Sequence, residues 1–481
     1  MRFLLYLSCF LSLSGFCSAQ TKLPSIFGDG MVLQQKSDVA VWGRDLPNTK
    51  VAVSGSWGES EEARSDAEGK WKLKIKTPPA GGPFALEIKG SQVLKFEDVL
   101  IGEVWLCSGQ SNMLMPLRGF VYRPESGYEN EKVEGGLKAI AAADNNQLRL
   151  FQGKHELSLT SLEQVEGQWQ AASPKSTPHF SAVAYFFGTR LQRKLKVPVG
   201  LIQVAFGSST VESWMSPESL NEFPEIEIPD VIPETAARRT ATVFYNGMLS
   251  PLIGYGLKGC IWYQGESNRR MGSHYEDVFA SLVSSWRAEW SIGEFPFLFA
   301  QITPYNYRNN VINSAFLREA QLRASKSIPN AGMIVTMDLG SCTSMHPPQK
   351  RKVGHRFANM ALSKVYGRTE FPSEGPSFRK SEPQGNGRVK LMFDNAESGL
   401  KGDDKSIKLQ GFELAGADRI FYPANARINR DHTVTVWSDK VTEPLAIRYS
   451  FGNCMVGNLF NEDGFPASPF RTDEWDGDFE R

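Results

Sequence analysis

Two serines three positions apart close an apolar run in Trp105-Leu106-Cys107-Ser108-Gly109-Gln110-Ser111-Asn112-Met113. Either hydroxyl could be a nucleophile or could cap a following helix, and spacing alone does not choose between them. Polar residues also collect at the ends of other apolar runs. Gly207-Ser208-Ser209-Thr210-Val211-Glu212 follows one, and Gln264-Gly265-Glu266-Ser267-Asn268 follows another. Asp338, and a little later His346, follow a third. If those runs are parallel strands, one edge of a sheet gathers hydroxyls, an imidazole, carboxylates and amide donors. Acyl transfer needs that set: a nucleophile, a base within reach, and donors for the developing oxyanion.

The elements that would position these groups are legible. Five apolar runs, Val99–Leu106, Gly200–Phe206, Cys260–Tyr263, Phe297–Ile302 and Met333–Met337, end in glycine or polar residues. Amphipathic helical stripes accompany them. The clearest is His274–Trp290, with Tyr275, Val278, Phe279, Leu282, Val283, Trp286 and Trp290 at helical spacing. Others are Val183, Phe187, Leu191 and Leu195, then Val353, Phe357 and Ala361. Near-continuous apolar strands alternating with such helices imply an α/β domain with a mostly parallel sheet covered on both faces. Ligands bind such sheets beyond the carboxyl ends of the strands. Short strands with Gly and Pro punctuation before residue 99, and again after about Tyr366, imply small sandwich-like all-β units on either side. Glu222–Thr240, rich in acid and proline, reads as a loop or insertion.

The ordered motifs resemble a known family. Gly109-Gln110-Ser111-Asn112-Met113, Ala205-Phe206-Gly207, Val211-Glu212-Ser213-Trp214, Tyr245-Asn246-Gly247-Met248, Trp262–Asn268, Asp338-Leu339-Gly340, His346-Pro347 and Val353-Gly354 are similar to the sialate O-acetylesterases. These belong to the SGNH (GDSL-like) carbohydrate esterases and are related to acetylxylan esterases. The resemblance spans nearly the whole chain after its leader. It implies a three-layer SGNH-hydrolase-like domain, with Ser111 as nucleophile, His346 as base, and no metal or cofactor. Gly207 and Gln264 are the oxyanion donors expected, with Asn268 as a substitute for Gln264 and the Ser111 N–H as a further donor. Gln110, Asn112, Glu212, Asn246 and Glu266 are expected to bind substrate or support the site.

One departure from the family stands out. Related esterases often carry the acid of the triad two or three residues before the histidine, where this chain has Thr343 and Ser344. Asp338 looping back, Glu266 from a neighbouring strand end, or a backbone carbonyl could each orient the imidazole. Asp338 is preferred. His355, among Lys and Arg on a helical stripe, reads as a solvated surface histidine.

Composition narrows the classes. The 481 residues carry 53 basic and 53 acidic side chains, so nucleic-acid binding has no electrostatic support. Arg2, the apolar stretch Phe3–Phe16 and Cys17-Ser18-Ala19 read as a secretory signal peptide. No later segment is apolar enough to span a membrane, so a secreted or periplasmic location is expected. Cys9 and Cys17 would leave with that leader. Cys107 and Cys260 read as buried free thiols, while disulfides among Cys107, Cys260, Cys342 and Cys454 stay open. The expected layout is a leader over 1–19, a β domain over 20–98, the esterase domain over 99–370 and a second β domain over 371–481.

The activity expected is removal of O-acetyl groups from carbohydrates, foremost sialic acids, through an acetyl-Ser111 intermediate. One rival is an acetylxylan or other polysaccharide acetylesterase. A rival of another class is a non-catalytic carbohydrate-binding protein, favoured by the missing acid near His346.

Overall fold

The computed structural model describes residues 20–126, 129–307, 312–403 and 408–475. The expected leader, residues 1–19, lies outside the described residues. The centre of the fold is a sheet whose strands we number along the chain: β1 (Val93–Gly109), β2 (Asn145–Gln152), β3 (Trp169–Ala172), β4 (Val199–Ala205), β5 (Gly259–Tyr263), β6 (Phe297–Ala300) and β7 (Ala331–Ile334). Their order is β7-β6-β5-β1-β4-β2-β3. All neighbours are parallel except β3, which runs antiparallel to β2.

The helices that bear on the site are α1 (Ser111–Leu114), α2 (Gly136–Ala141), α3 (Ala182–Leu195), α4 (Tyr275–Trp290), α5 (Ala315–Ser327) and α6 (Lys350–Met360). Strand alternation divides the core between them. Trp105, Cys107 and Ile261 pack with Val183, Phe187, Val353 and Phe357 of α3 and α6. Val104, Leu106, Cys260 and Trp262 pack with the apolar stripe of α4 and with Leu317 and Ala320 of α5 on the other face. Cys107 and Cys260 are buried free thiols, as expected.

Strands β2 and β3 and helix α5 escape the sequence pattern. β2 carries Arg149 in its middle, which breaks its apolar run. That guanidinium is buried because Asp98 accepts from it with both oxygens, at 2.6 and 3.0 Å, and the Gly30 carbonyl accepts as well. α5 hides behind its charged residues, since only a narrow stripe of it is apolar.

The N-terminal unit shares a strand with the central α/β unit. β1 pairs with Gly81–Lys89 in its first half and with β4 and β5 in its second. The expected boundary at 98/99 therefore falls inside one continuous strand. After residue 371 two four-stranded antiparallel sheets enclose a core of their own. This C-terminal unit is tied to the central α/β unit by a Cys342–Cys454 disulfide. Beside it the Tyr305 N–H donates to the Asn453 carbonyl at 3.0 Å, and the Ser314 N–H to Asn453 Oδ1 at 2.7 Å.

Candidate active site

Ser111 is the first residue of α1, directly beyond the end of β1. The strand can turn into the helix there because Gly109 has φ +135°, and a Cβ at that position would run into the Tyr263 backbone. The Gln110 N–H donates to the Tyr263 carbonyl at 2.9 Å, which ties the turn to the end of β5. Ser108 is fully buried in the strand, so it is Ser111 that stands at the sheet edge.

His346 Nε2 lies 2.9 Å from Ser111 Oγ. The other ring nitrogen, Nδ1, lies 2.7 Å from Oε2 of Glu131. Hydroxyl, imidazole and carboxylate thus form one hydrogen-bonded chain, the arrangement in which the imidazole can take the serine proton while the carboxylate fixes its tautomer. Phe120 packs edge-on against the imidazole, with ring centroids 5.1 Å apart. The side chain of His346 is 14% exposed and that of Glu131 28%, so the pair sits at the lip of the site rather than deep in the core.

Glu131 corrects the expected acid. Both oxygens of Asp338 accept from Arg356, at 2.7 and 2.8 Å, so that carboxylate is committed to α6 and not to His346. Glu266 is not on the ring either. It accepts from Asn112 Nδ2 at 2.6 Å. A carboxylate on the imidazole also removes the feature that favoured a non-catalytic protein.

Glu131 lies in the irregular segment between α1 and α2. Its backbone N–H donates to the Phe120 carbonyl at 3.0 Å, and Gly119, at φ +89°, leaves room for the Glu131 backbone to pass. The surrounding Glu129-Asn130-Glu131-Lys132-Val133-Glu134 has no periodicity and three similar acids. Only the fold selects one of them.

Asn112 joins the nucleophile turn to the histidine loop. Its Nδ2 donates to Glu266 and, at 3.1 Å, to the carbonyl of Met345, the residue before His346. Its Oδ1 accepts from the fully buried Lys350 Nζ. Burial pushes the Lys350 ammonium down to about 7, opposed by the Glu266 and Glu131 charges. Burial also raises the Glu266 carboxyl, partly offset by its hydrogen bonds.

The remaining expected site residues divide. Gly207 follows β4 and faces the nucleophile: a Cβ on it would meet Ser111 Cβ at 3.8 Å. Among the described residues, no protein group accepts from the N–H of Gly207 or of Ser111. Gln264 does not have a free amide. Its Nε2 donates to the Ser209 carbonyl and to Asn268 Oδ1, and its Oε1 accepts from Tyr275. The Asn268 amide likewise donates to Glu212 at 2.8 Å and lies against the Met271 sulfur. Gln264, Asn268 and Glu212 therefore brace the loop after β4, where Asn268 Oδ1 accepts from the Val211 N–H. Gln110 Oε1 faces the N–H groups of Gly265 and Ser267 at 3.4 Å. Asn246 fastens the 158–162 loop through Ser161 and Leu162 and is not part of the hydroxyl–imidazole chain. Trp214, Trp262 and Tyr263 are fully buried and offer no ring face to a sugar.

Known proteins resemble this chain over most of its length. A family model described as carbohydrate esterase, sialic acid-specific acetylesterase matches residues 101–363. The chain is 28% identical over 402 residues to the sialate O-acetylesterase of Homo sapiens, covering 75% of this chain and 74% of that one. It is 27% identical over 454 residues to that of Mus musculus, covering 81% and 82%. A crystal structure of a carbohydrate acetylesterase from Xanthomonas citri superposes with a TM-score of 0.84 at 35% identity, covering 95% of this chain and all of that one. With a serine, a histidine and a carboxylate in one chain at the sheet edge, the protein is a carboxylic ester hydrolase and belongs to the sialic acid-specific acetylesterase family of carbohydrate esterases.

Proposed function

We propose that the protein removes O-acetyl groups from sialic acids through an acetyl-Ser111 intermediate. The observation that carries the mechanism is the continuous Ser111–His346–Glu131 hydrogen-bond chain. Ser111 Oγ attacks the acetyl carbonyl while His346 Nε2 takes its proton, and Glu131 holds the Nδ1–H and balances the imidazolium. The N–H groups of Ser111 and Gly207 receive the oxyanion. Collapse breaks the ester bond, and the imidazolium gives its proton to the departing sugar oxygen. Water, deprotonated by His346, then attacks the acetyl-enzyme. Acetate leaves and Ser111 regains its proton.

The sialate assignment is supported by the family and by the mammalian relatives. Polysaccharide acetyl esters are the second reading, because the Xanthomonas citri protein, which matches nearly the whole chain at higher identity, is described only as a carbohydrate acetylesterase. Export is supported by the Cys342–Cys454 disulfide, a bond that persists in oxidising compartments, and by the leader pattern. Among the described residues no helix is long and apolar enough to cross a membrane.

Acetate release from 9-O-acetyl sialic acid and from acetylated xylan separates the two substrates. The sialate reading expects the first to be faster in kcat/KM, and the reverse order would overturn it. Ser111→Ala is expected to abolish release from both, and the wild type quenched during turnover to carry an acetyl group on the Ser111 peptide. Retained activity in Ser111→Ala would overturn the mechanism.

A further inference from the structure

Helix α6 has two charged faces near its start. Lys350 points inward to Asn112, while the next residue, Arg351, points into a separate cavity of about 630 Å³ between α2, α3 and α6. Lys138 of α2, Arg190, Arg193 and Lys194 of α3, and Arg351 and His355 of α6 line it, with Tyr185 and Phe186 as aromatic wall. No Asp or Glu is among the lining residues, and among the described residues none of the five cations forms an ion pair. Glu370, whose carboxyl feels the Lys194 charge, lies outside the lining and is paired with Arg368 at 2.7 Å.

Three of these charges have an ordinary explanation, since Lys138 falls in the last turn of α2 and Arg193 and Lys194 in that of α3, where cations complement the helix dipole. Arg190, whose Nε donates to Asn359 Oδ1 at 2.8 Å, and Arg351 do not, and they reach the cavity from two different helices. Like charges gathered around a concave, partly apolar wall repel one another unless an anion sits among them. The positive field reaches His355, which is partly buried rather than solvated as its sequence context implies. Burial first, then Arg190, Arg351 and Arg193, hold its ring at about 4, so it is neutral at physiological pH. The guanidinium of Arg351 lies over the Phe186 ring at 4.8 Å, which leaves its edge for a ligand.

The volume is too large for a bare inorganic anion and suits a ring-bearing small molecule. We propose that this cavity is a second binding site, distinct from the Ser111 site, that seats a carboxylate-bearing sugar unit. The carboxylate lies between Arg190, Arg193 and Arg351, and the sugar ring fills the rest of the cavity, where Ala139, Ala142 and Thr189 complete the lining and Tyr185 and Phe186, largely buried, form its floor. The inference deepens the carbohydrate esterase reading and rests on it for the sugar. The cavity backs directly on the catalytic segment: α2 follows Glu131 by five residues, and α6 follows His346 by four.

The test uses full-length Ser111→Ala protein, so that binding is read without turnover, titrated calorimetrically with glucuronate, xylose and inorganic phosphate. Glucuronate is expected to bind, more weakly as salt rises, with xylose at least about tenfold weaker. Arg193→Gln with Arg351→Gln is expected to weaken glucuronate at least about tenfold. The same double substitution with Ser111 restored is expected to keep p-nitrophenyl acetate turnover within about twofold, which shows that the variant folds and that the esterase site is intact. Phosphate binding as tightly as glucuronate would overturn the sugar assignment. Glucuronate binding that is absent, or that survives the double substitution, would overturn the site. Neither outcome touches the esterase reading, which stands or falls on wild-type turnover.

Discussion

Glu131→Gln tests the triad most directly, because sequence spacing points elsewhere. The amide keeps the size of the carboxylate and can still meet Nδ1, but it removes the charge that balances the imidazolium. With charge centres about 4 Å apart and an effective dielectric of about 20, that attraction is worth about 4 kcal/mol in the transition state. Glu131 is 28% exposed, so solvent screens part of it and about 3 kcal/mol is the fairer figure. Each 1.36 kcal/mol is tenfold, which gives a loss of about 10²-fold in kcat. That is less than the roughly 10⁴-fold known for the corresponding change in a fully buried serine-protease triad. KM for p-nitrophenyl acetate is expected to stay within about twofold, since Glu131 acts through His346 and not on the acyl group. Ser111→Ala combined with Glu131→Gln is expected to be no slower than Ser111→Ala alone, because the groups act as a unit. Stopped assays on purified variants of matched folding read all three. A kcat within about threefold of wild type, less than 1 kcal/mol, would refute the assignment of Glu131.

Asp338→Asn is expected to leave kcat within about fivefold and to lower unfolding free energy by about 2–3 kcal/mol, because Arg356 keeps its charge in a largely buried place without its partner; urea unfolding together with an esterase assay checks it, and a catalytic loss like that of Glu131→Gln without destabilisation would contradict it. Cys342→Ser with Cys454→Ser opens a link across 112 residues and is expected to cost about 2–5 kcal/mol, seen as a lower urea midpoint in the oxidised protein. Lys350→Met is expected to alter the pH dependence of stability. Burial holds the folded ammonium at about 7, whereas the unfolded group titrates near about 10.4, so between these values the unfolded chain binds the extra proton. Wild type should therefore gain stability relative to Lys350→Met as pH rises from 7 to 9.5, and a difference independent of pH would refute the buried, deprotonating lysine.

Local patterns bring Ser108, Ser111 and His346 to the sheet edge, an apolar strand ending in a small polar cluster and a polar loop before an amphipathic helix, and the family resemblance then singles out Ser111 and His346. Glu131 is not readable in that way. It sits in a segment without periodicity, among Glu129 and Glu134, and reaches His346 across 215 residues of chain. Asp338 misleads for the opposite reason: it follows a strand end, but the Arg356 guanidinium of the next helix, α6, takes both its oxygens. Gln264 and Asn268 lie at the expected edge, yet their amides are spent on each other and on the loop after β4. Strand periodicity gave away most of the central sheet and missed β2, where the buried Arg149, paired with a half-exposed Asp98, takes a place that apolar residues would otherwise mark.

The placement of the acid has a structural consequence. Had the carboxylate stood two residues before His346, one short loop would hold both groups in register by itself. Here the histidine loop needs outside support, and three separate attachments supply it. Glu131 fixes the ring from the α1–α2 segment. Asn112, held by Lys350 and Glu266, grips the Met345 carbonyl from the nucleophile turn. The Cys342–Cys454 bond, four residues before His346, anchors the loop's entry to the C-terminal β unit. The C-terminal unit thereby helps position the base of a reaction in which it supplies no reacting atom. That division makes the precision of the Ser111–His346 contact a property of the whole chain.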